Sequence, residues 1–185
     1  MAMPHSRSGW TLEMVHALPD DGNRYELIDG ELFVTPAPTG LHQSATVRLW
    51  ALLDDFTREH GLKTLCAPFG VRLSNGGEVQ PDVVVFPRAP GTRIPAVADI
   101  RDLVLAVEIL SPGTQRTDRH EKRHLYQSNG VAEYWIVDLD ARTIDRWRPN
   151  DSEPGVASAA LNWQPAPYGD TLGIDVQAFF DSAYD

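Results

Sequence analysis

Residues 103–126 read LVLAVEILSPGTQRTDRHEKRHLY: an apolar run that carries one carboxylate, Glu108, and stops at Ser111-Pro112-Gly113. The run predicts a buried strand, and an ionised Glu inside it costs several kcal/mol unless it is paired, protonated or bound to a metal. Past the break, Asp118 followed by Glu121 predicts a capped helix start, and Gly130 predicts its stop. The helix expected over 119–129 carries Lys122, Leu125, Tyr126 and Asn129 on one face.

Upstream, segments around 62–73 and 79–86 look like strands separated by Ser74-Asn75-Gly76-Gly77, and they are expected to pair as a hairpin. Residues 87–100, with Pro87, Pro90, Gly91 and Pro95, are expected to form a loop. Residues 25–35 read as two short strands around Asp29-Gly30. Leu41, Ala45, Leu49, Leu52, Leu53 and Phe56 recur at helical spacing and predict an amphipathic helix of about five turns, stopped near Gly61. Downstream, 132–137 and 143–148 predict a second hairpin. The tail 151–185, with Pro154, Pro165 and Pro167, reads as mostly irregular until 176–180. Hairpin, helix, strands, helix, strands is the order of an α/β protein with a mixed sheet flanked by helices.

The chain has 185 residues, 42% of them apolar and 23% charged, enough for a single folded domain with a core. No apolar stretch approaches the ~20 residues that cross a bilayer. The N-terminal MAMPHSRSGW lacks the apolar segment of a secretory leader, so the expected address is the cytoplasm, with no membrane partner. Cys66 is the one cysteine, and its neighbours Leu65, Ala67 and Pro68 make it a structural residue at a strand end. The net charge of -10 argues against a surface that grips nucleic acid throughout. Six of the acids fall in 151–185, which has no Lys or Arg, so the first 150 residues carry -4. Arg116, Arg119, His120, Lys122, Arg123 and His124 form a local basic cluster, a pattern that most often marks a solvated helix face. The His residues and Cys66 do not make a four-ligand zinc pattern, and no Gly-rich phosphate loop is present.

Strand alternation puts Gln80, Asp82, Val84 and Phe86 on one side of their strand, and Val104, Ala106, Glu108 and Leu110 on one side of theirs. Two acids can thus face each other across neighbouring strands. Compensation for Glu108 can come from Lys122, from an arginine of the following helix, or from a divalent cation shared with Asp82. Hard cations accept one or two carboxylates with water and phosphate completing the shell. A nearby lysine suits the charge that builds on a phosphate during attack.

The motifs Tyr25-Glu26-Leu27-Ile28-Asp29-Gly30-Glu31-Leu32, Pro36-Ala37-Pro38 with His42, Gln80-Pro81-Asp82-Val83-Val84, Val107-Glu108-Ile109-Leu110-Ser111-Pro112 and 130–138 (GVAEYWIVD) span most of the chain. With Asp118, Lys122 and Tyr126, they resemble the PD-(D/E)XK nuclease superfamily and, within it, the Uma (type two) family designated restriction endonucleases. The resemblance implies a restriction-endonuclease-like mixed β-sheet flanked by helices, with an N-terminal β-hairpin. It implies one domain over 1–185: a hairpin region 1–40, a nuclease core 41–150 and an acidic C-terminal extension 151–185. It further implies Asp82 and Glu108 as catalytic and metal-holding acids for Mg2+ or Mn2+. The superfamily's lysine lies two residues after the second acid, where this chain has Leu110; Lys122 is the expected substitute. Glu31 and His42 fall in matching segments as further site candidates, with a strand-edge charge and a polar first-turn helix residue as their plain alternatives. Asp118 is expected to cap the helix, and Tyr126 to pack with a partner for its hydroxyl.

The leading expectation is a Mg2+- or Mn2+-dependent endonuclease on DNA, with Asp82, Glu108 and Lys122 at its centre. Arg116, Arg119 and Arg123 are the candidate substrate contacts, and a homodimer would cut both strands. The alternative is a catalytically silent nuclease-like fold that binds nucleic acid or protein and keeps these residues as an internal ion pair. A hydrolase of another phosphoester is a third reading.

Overall fold

The bend Gln80-Pro81-Asp82, where a residue without a backbone N–H interrupts an extended segment, carries the chain from one of its two large sheets to the other. The computed structural model describes residues 9–89, 91–167 and 169–185. The leader reading rests partly on residues 1–8, and the loop reading partly on Pro90, both outside the described residues.

In chain order the elements are α1 (Leu12–His16), β1 (Arg24–Ile28), β2 (Glu31–Thr35), α2 (Gly40–Thr57), β3 (Leu62–Cys66), β4 (Gly70–Arg72), β5 (Glu78–Val79), β6 (Val83–Pro87), β7 (Val97–Asp99) and β8 (Leu105–Ile109). They continue with α3 (Gln115–Thr117), α4 (Arg123–Ser128), β9 (Glu133–Asp138), β10 (Thr143–Trp147), β11 (Gly155–Ala157), β12 (Ala160–Trp163), β13 (Leu172–Asp175) and α5 (Val176–Tyr184). A π-helical stretch, Asp118–Lys122, joins α3 to α4. The larger sheet has six strands in the order β11-β10-β9-β8-β6-β3, and the smaller has five in the order β2-β1-β5-β4-β7. In the larger sheet only β8 and β9 run parallel.

The hairpin expected over 62–86 is split between these sheets. β3 pairs with β6, and β4 pairs with β5, so one long connection serves two layers. Pro81 and the Ala67-Pro68 step lie where the two halves part, because neither proline can donate to a ladder. The expected loop contains β7, which joins β4 in parallel.

β8 is buried along its whole length and feeds both faces of the larger sheet. Leu105, Val107 and Ile109 join the core that α2 and α5 cover, with Ala45, Leu49, Leu53, Phe179 and Phe180. Ala106 joins the opposite core with Val84, Ile136, Leu125 and Val79, under α4 and the smaller sheet. Each such Leu or Val contributes roughly 1.5–3 kcal/mol by leaving water. Of the predicted helix stripe, Leu52 alone faces solvent, at 41% exposure.

Two expectations are corrected. The helix after the Ser-Pro-Gly break starts at Gln115, so Asp118 lies inside it, buried and capping nothing. The described part of the tail is built of regular elements: β11 extends the larger sheet, β12 and β13 pair, and α5 packs on α2. Its prolines sit between these elements, while Leu161, Trp163, Ile174 and Phe180 complete one core.

Candidate active site

The first acid is fixed by the seam between the sheets. β6 and β8 are antiparallel with Val83 opposite Val107, and the same register, continued one residue, sets Asp82 across from Glu108. Asp82 Oδ2 accepts from the Ile109 amide at 2.8 Å and lies 3.1 Å from His42 Nε2. Its Oδ1 accepts from Arg24 Nη1 at 2.8 Å. His42 reaches this point from the first turn of α2, where Nε2 donates to the Ile109 carbonyl at 2.9 Å.

The second acid meets the lysine. Lys122 Nζ donates to Glu108 Oε1 at 2.9 Å and to Glu26 at 2.9 Å, and stands 3.8 Å from Asp118 Oδ1. Lys122, Glu26, Glu108 and Asp118 are all about 1% exposed. Tyr126 Oη donates to Glu108 Oε1 at 3.4 Å, supplying the expected hydroxyl partner. Three further residues arrive that were not among the expected site residues. Arg24 and Glu26 share the face of β1 turned to the seam, two apart as strand geometry requires, and Glu26 also accepts from the Gln80 amide at 2.8 Å. Asp118 sits four residues before Lys122 on the same helical face. A pair of opposite charges at strand spacing was the available signal for Arg24 and Glu26.

Four buried carboxylates face two permanent cations, Arg24 and Lys122, which leaves a formal surplus of two negative charges. The acids respond unequally. Burial opposes ionisation of Asp82, but the His42 contact and the Arg24 charge hold it down at about 2. Burial pushes Glu108 well above the usual carboxylate range, against the pull of Lys122 and with help from Asp118, Asp82 and Glu26. Burial likewise raises Asp118 to about 6, with Lys122 opposing. Burial disfavours the Lys122 ammonium, yet Glu108, Glu26 and Asp118 more than compensate and raise it, so it stays charged.

This donor set fits a hard divalent cation. Asp118 Oδ1 is a buried oxygen without a hydrogen-bond partner, and the four buried carboxylates outnumber the two permanent cations beside them. Among the described residues no three His, Cys, Asp or Glu side chains gather into a ligand cluster. The fit is therefore to an ion that takes one or two carboxylates and completes its shell with water and phosphate.

Glu31 is not brought to this place. It pairs with Ile28 at the far end of the hairpin and lines a separate cavity of about 560 Å³ with Glu121 and His124. Arg116 is exposed. Arg119 is held by Asp138 and Asp145 at 2.7 and 2.8 Å, and Arg123 stacks on Trp147 at 4.9 Å. These two arginines are engaged with the protein itself. Cys66 is half-buried at the end of β3.

A mixed sheet flanked by helices, with acids at a strand seam and a lysine beside them, defines a restriction-endonuclease-like protein. The same fold is found in the crystal structure of "a putative nuclease belonging to DUF820" from Anabaena variabilis, with a TM-score of 0.79 at 20% identity, covering 94% of this chain and 99% of that one. No curated protein matches the chain. The sequence pattern of the Uma2 family, described as "Putative restriction endonuclease", matches residues 12–177. The chain belongs to this family.

Proposed function

We propose that the protein is a Mg2+- or Mn2+-dependent endonuclease that hydrolyses phosphodiester bonds in DNA, acting in the cytoplasm. Asp82 and Glu108 are the acids that would hold the cation, with Asp118 close behind. The observation that carries the reading is Lys122: it reaches Glu108 at 2.9 Å from the following helix, in a chain whose strand has Leu110 where the superfamily has its lysine. When bound, the cation would supply Lewis acidity at the phosphate and at the attacking water.

The chain's own groups do the rest. Lys122 stays protonated beside its carboxylates, so it acts as a fixed positive charge for the developing phosphorane and not as a base. Tyr126 orients Glu108 by donating to Oε1. His42 and the Ile109 amide keep Asp82 in one orientation and ionised. A homodimer belongs to the same reading, since paired sites reach both strands. Sedimentation at working concentration tests it, with a monomer mass removing that part.

The test of activity is nicking of supercoiled plasmid with Mg2+ or Mn2+. Cleavage abolished by EDTA and by Glu108→Gln supports the reading, and cleavage unaffected by either overturns it. One observation favours the silent, binding-only alternative: both oxygens of Asp82 already hold protein donors. Oligonucleotide binding without cleavage under any divalent ion would decide for it.

A further inference from the structure

Two cavities of about 350 and 510 Å³ are both lined by Arg24, His42 and the strap Pro36-Ala37-Pro38, and the larger is lined by Asp82 as well. Arg24 is the one Lys or Arg among the described residues that line either of them. Its guanidinium is used on one corner only. Nη1 donates to Asp82 Oδ1 at 2.8 Å and to the Gln80 carbonyl at 2.8 Å. Nε and Nη2 make no hydrogen bond among the described residues, yet neither is a buried unpartnered atom. Each therefore keeps some accessible surface, on a residue that lines both cavities. Nε–H and Nη2–H point in parallel, the edge of an arginine that grips two oxygens of one phosphate.

Resting on the nuclease reading and naming a residue of its substrate site, we propose that Arg24 is a phosphodiester-binding fork, anchored through Nη1 and offering its Nε–Nη2 edge to the nucleic-acid backbone. Its anchors make this economical. The side chain is 17% exposed and held by two bonds, so little rotamer freedom remains to be lost on binding. The chain's negative charge makes one well-placed fork matter more, because no other Lys or Arg among the described residues lines these two cavities. Arg119 and Arg123, by contrast, already hold partners within the protein.

The test is fluorescence anisotropy of a short labelled single-stranded oligodeoxynucleotide in EDTA, across a salt series. Arg24→Met is expected to weaken binding about ten-fold or more and to flatten the slope of log K against log salt by about 0.7, the loss of one phosphate contact. A merely structural role would leave that slope unchanged. Should Arg24→Met fail to fold, Arg24→Lys keeps a cation for Asp82 but has no second edge, and the same weakening is expected of it. Wild-type affinity and slope in the variants that fold would overturn Arg24 as the fork while leaving the endonuclease reading intact. A wild-type protein that binds no oligonucleotide, yet nicks plasmid with Mg2+, would overturn the fork alone; failure of both assays would overturn both.

Discussion

Lys122, at the end of the π-helical stretch before α4, donates at 2.9 Å to Glu26 on β1, a residue 96 positions away, and through Glu108 it ties both large sheets to that stretch. Removing the ammonium leaves Glu26, Glu108 and Asp118 buried without it. Lys122→Met is expected to cost about 3–5 kcal/mol, the penalty for stranding buried charge. Urea unfolding at neutral pH measures it. The double variant Lys122→Met with Glu108→Gln should recover part of the loss, since one stranded carboxylate is gone; unchanged stability in the single variant would contradict the cluster.

Asp118 and Asp82 give opposite pH dependences. The folded pKa of Asp118, about 6, lies above its ordinary 3.8, so its contribution to stability is fully present below 3.8 and is lost as pH rises through 6. Two units correspond to an upper figure of about 3 kcal/mol. Asp118→Asn should therefore gain relative to wild type between pH 4 and pH 7, read from urea midpoints. Asp82, held at about 2, contributes stability above 3.8 that fades as pH falls through 2, and Asp82→Asn should remove that acid limb. Parallel pH curves for wild type and Asp118→Asn would contradict the raised Asp118.

Gly77 lies against β1. A Cβ there would stand 2.3 Å from the Leu27 carbonyl oxygen and 2.9 Å from Leu73 Cδ1, and a backbone oxygen cannot move aside alone. Gly77→Ala is expected to shift the strand that carries Arg24 and Glu26 and to cost about 1–3 kcal/mol. Thermal melting measures the cost. A melting temperature equal to wild type would show that β1 is not held so closely.

The tail is core, so cutting into it should be felt throughout. Phe180 is fully buried among α2 and α5 residues, and Phe180→Ala should cost about 3–5 kcal/mol by cavity formation. A loss below 1 kcal/mol in urea unfolding would mean that α5 is only loosely docked.

The local patterns were legible where one rule dominated. The apolar run of β8, the helical stripe of α2 and the Asp29-Gly30 turn each sit where periodicity and turn chemistry put them. Asp82 and Glu108 were legible as a facing pair because alternation fixes sidedness once strands are adjacent. The partition of 62–86 between two sheets was not, because a strand segment does not announce its partner and Pro81 reads equally as an end or a bend. The tail looked irregular because its strands are three or four residues long and separated by prolines. Asp118 looked like a cap because the helix begins three residues earlier, over a segment without apolar periodicity. The site position of Glu26 and Arg24 was not legible because their partners lie on a distant helix and just after Pro81, not among their neighbours in sequence.

The most direct measurement is calorimetric titration of the wild-type chain, Asp82→Asn and Glu108→Gln with Mn2+ at pH 7.5 and pH 5. One site is expected in the wild type at pH 7.5, weakened at pH 5 as protons compete for Glu108 and Asp118, and lost or reduced at least ten-fold in each variant. Equal manganese affinity in all three proteins, or none in the wild type, would contradict a cation held between these two acids.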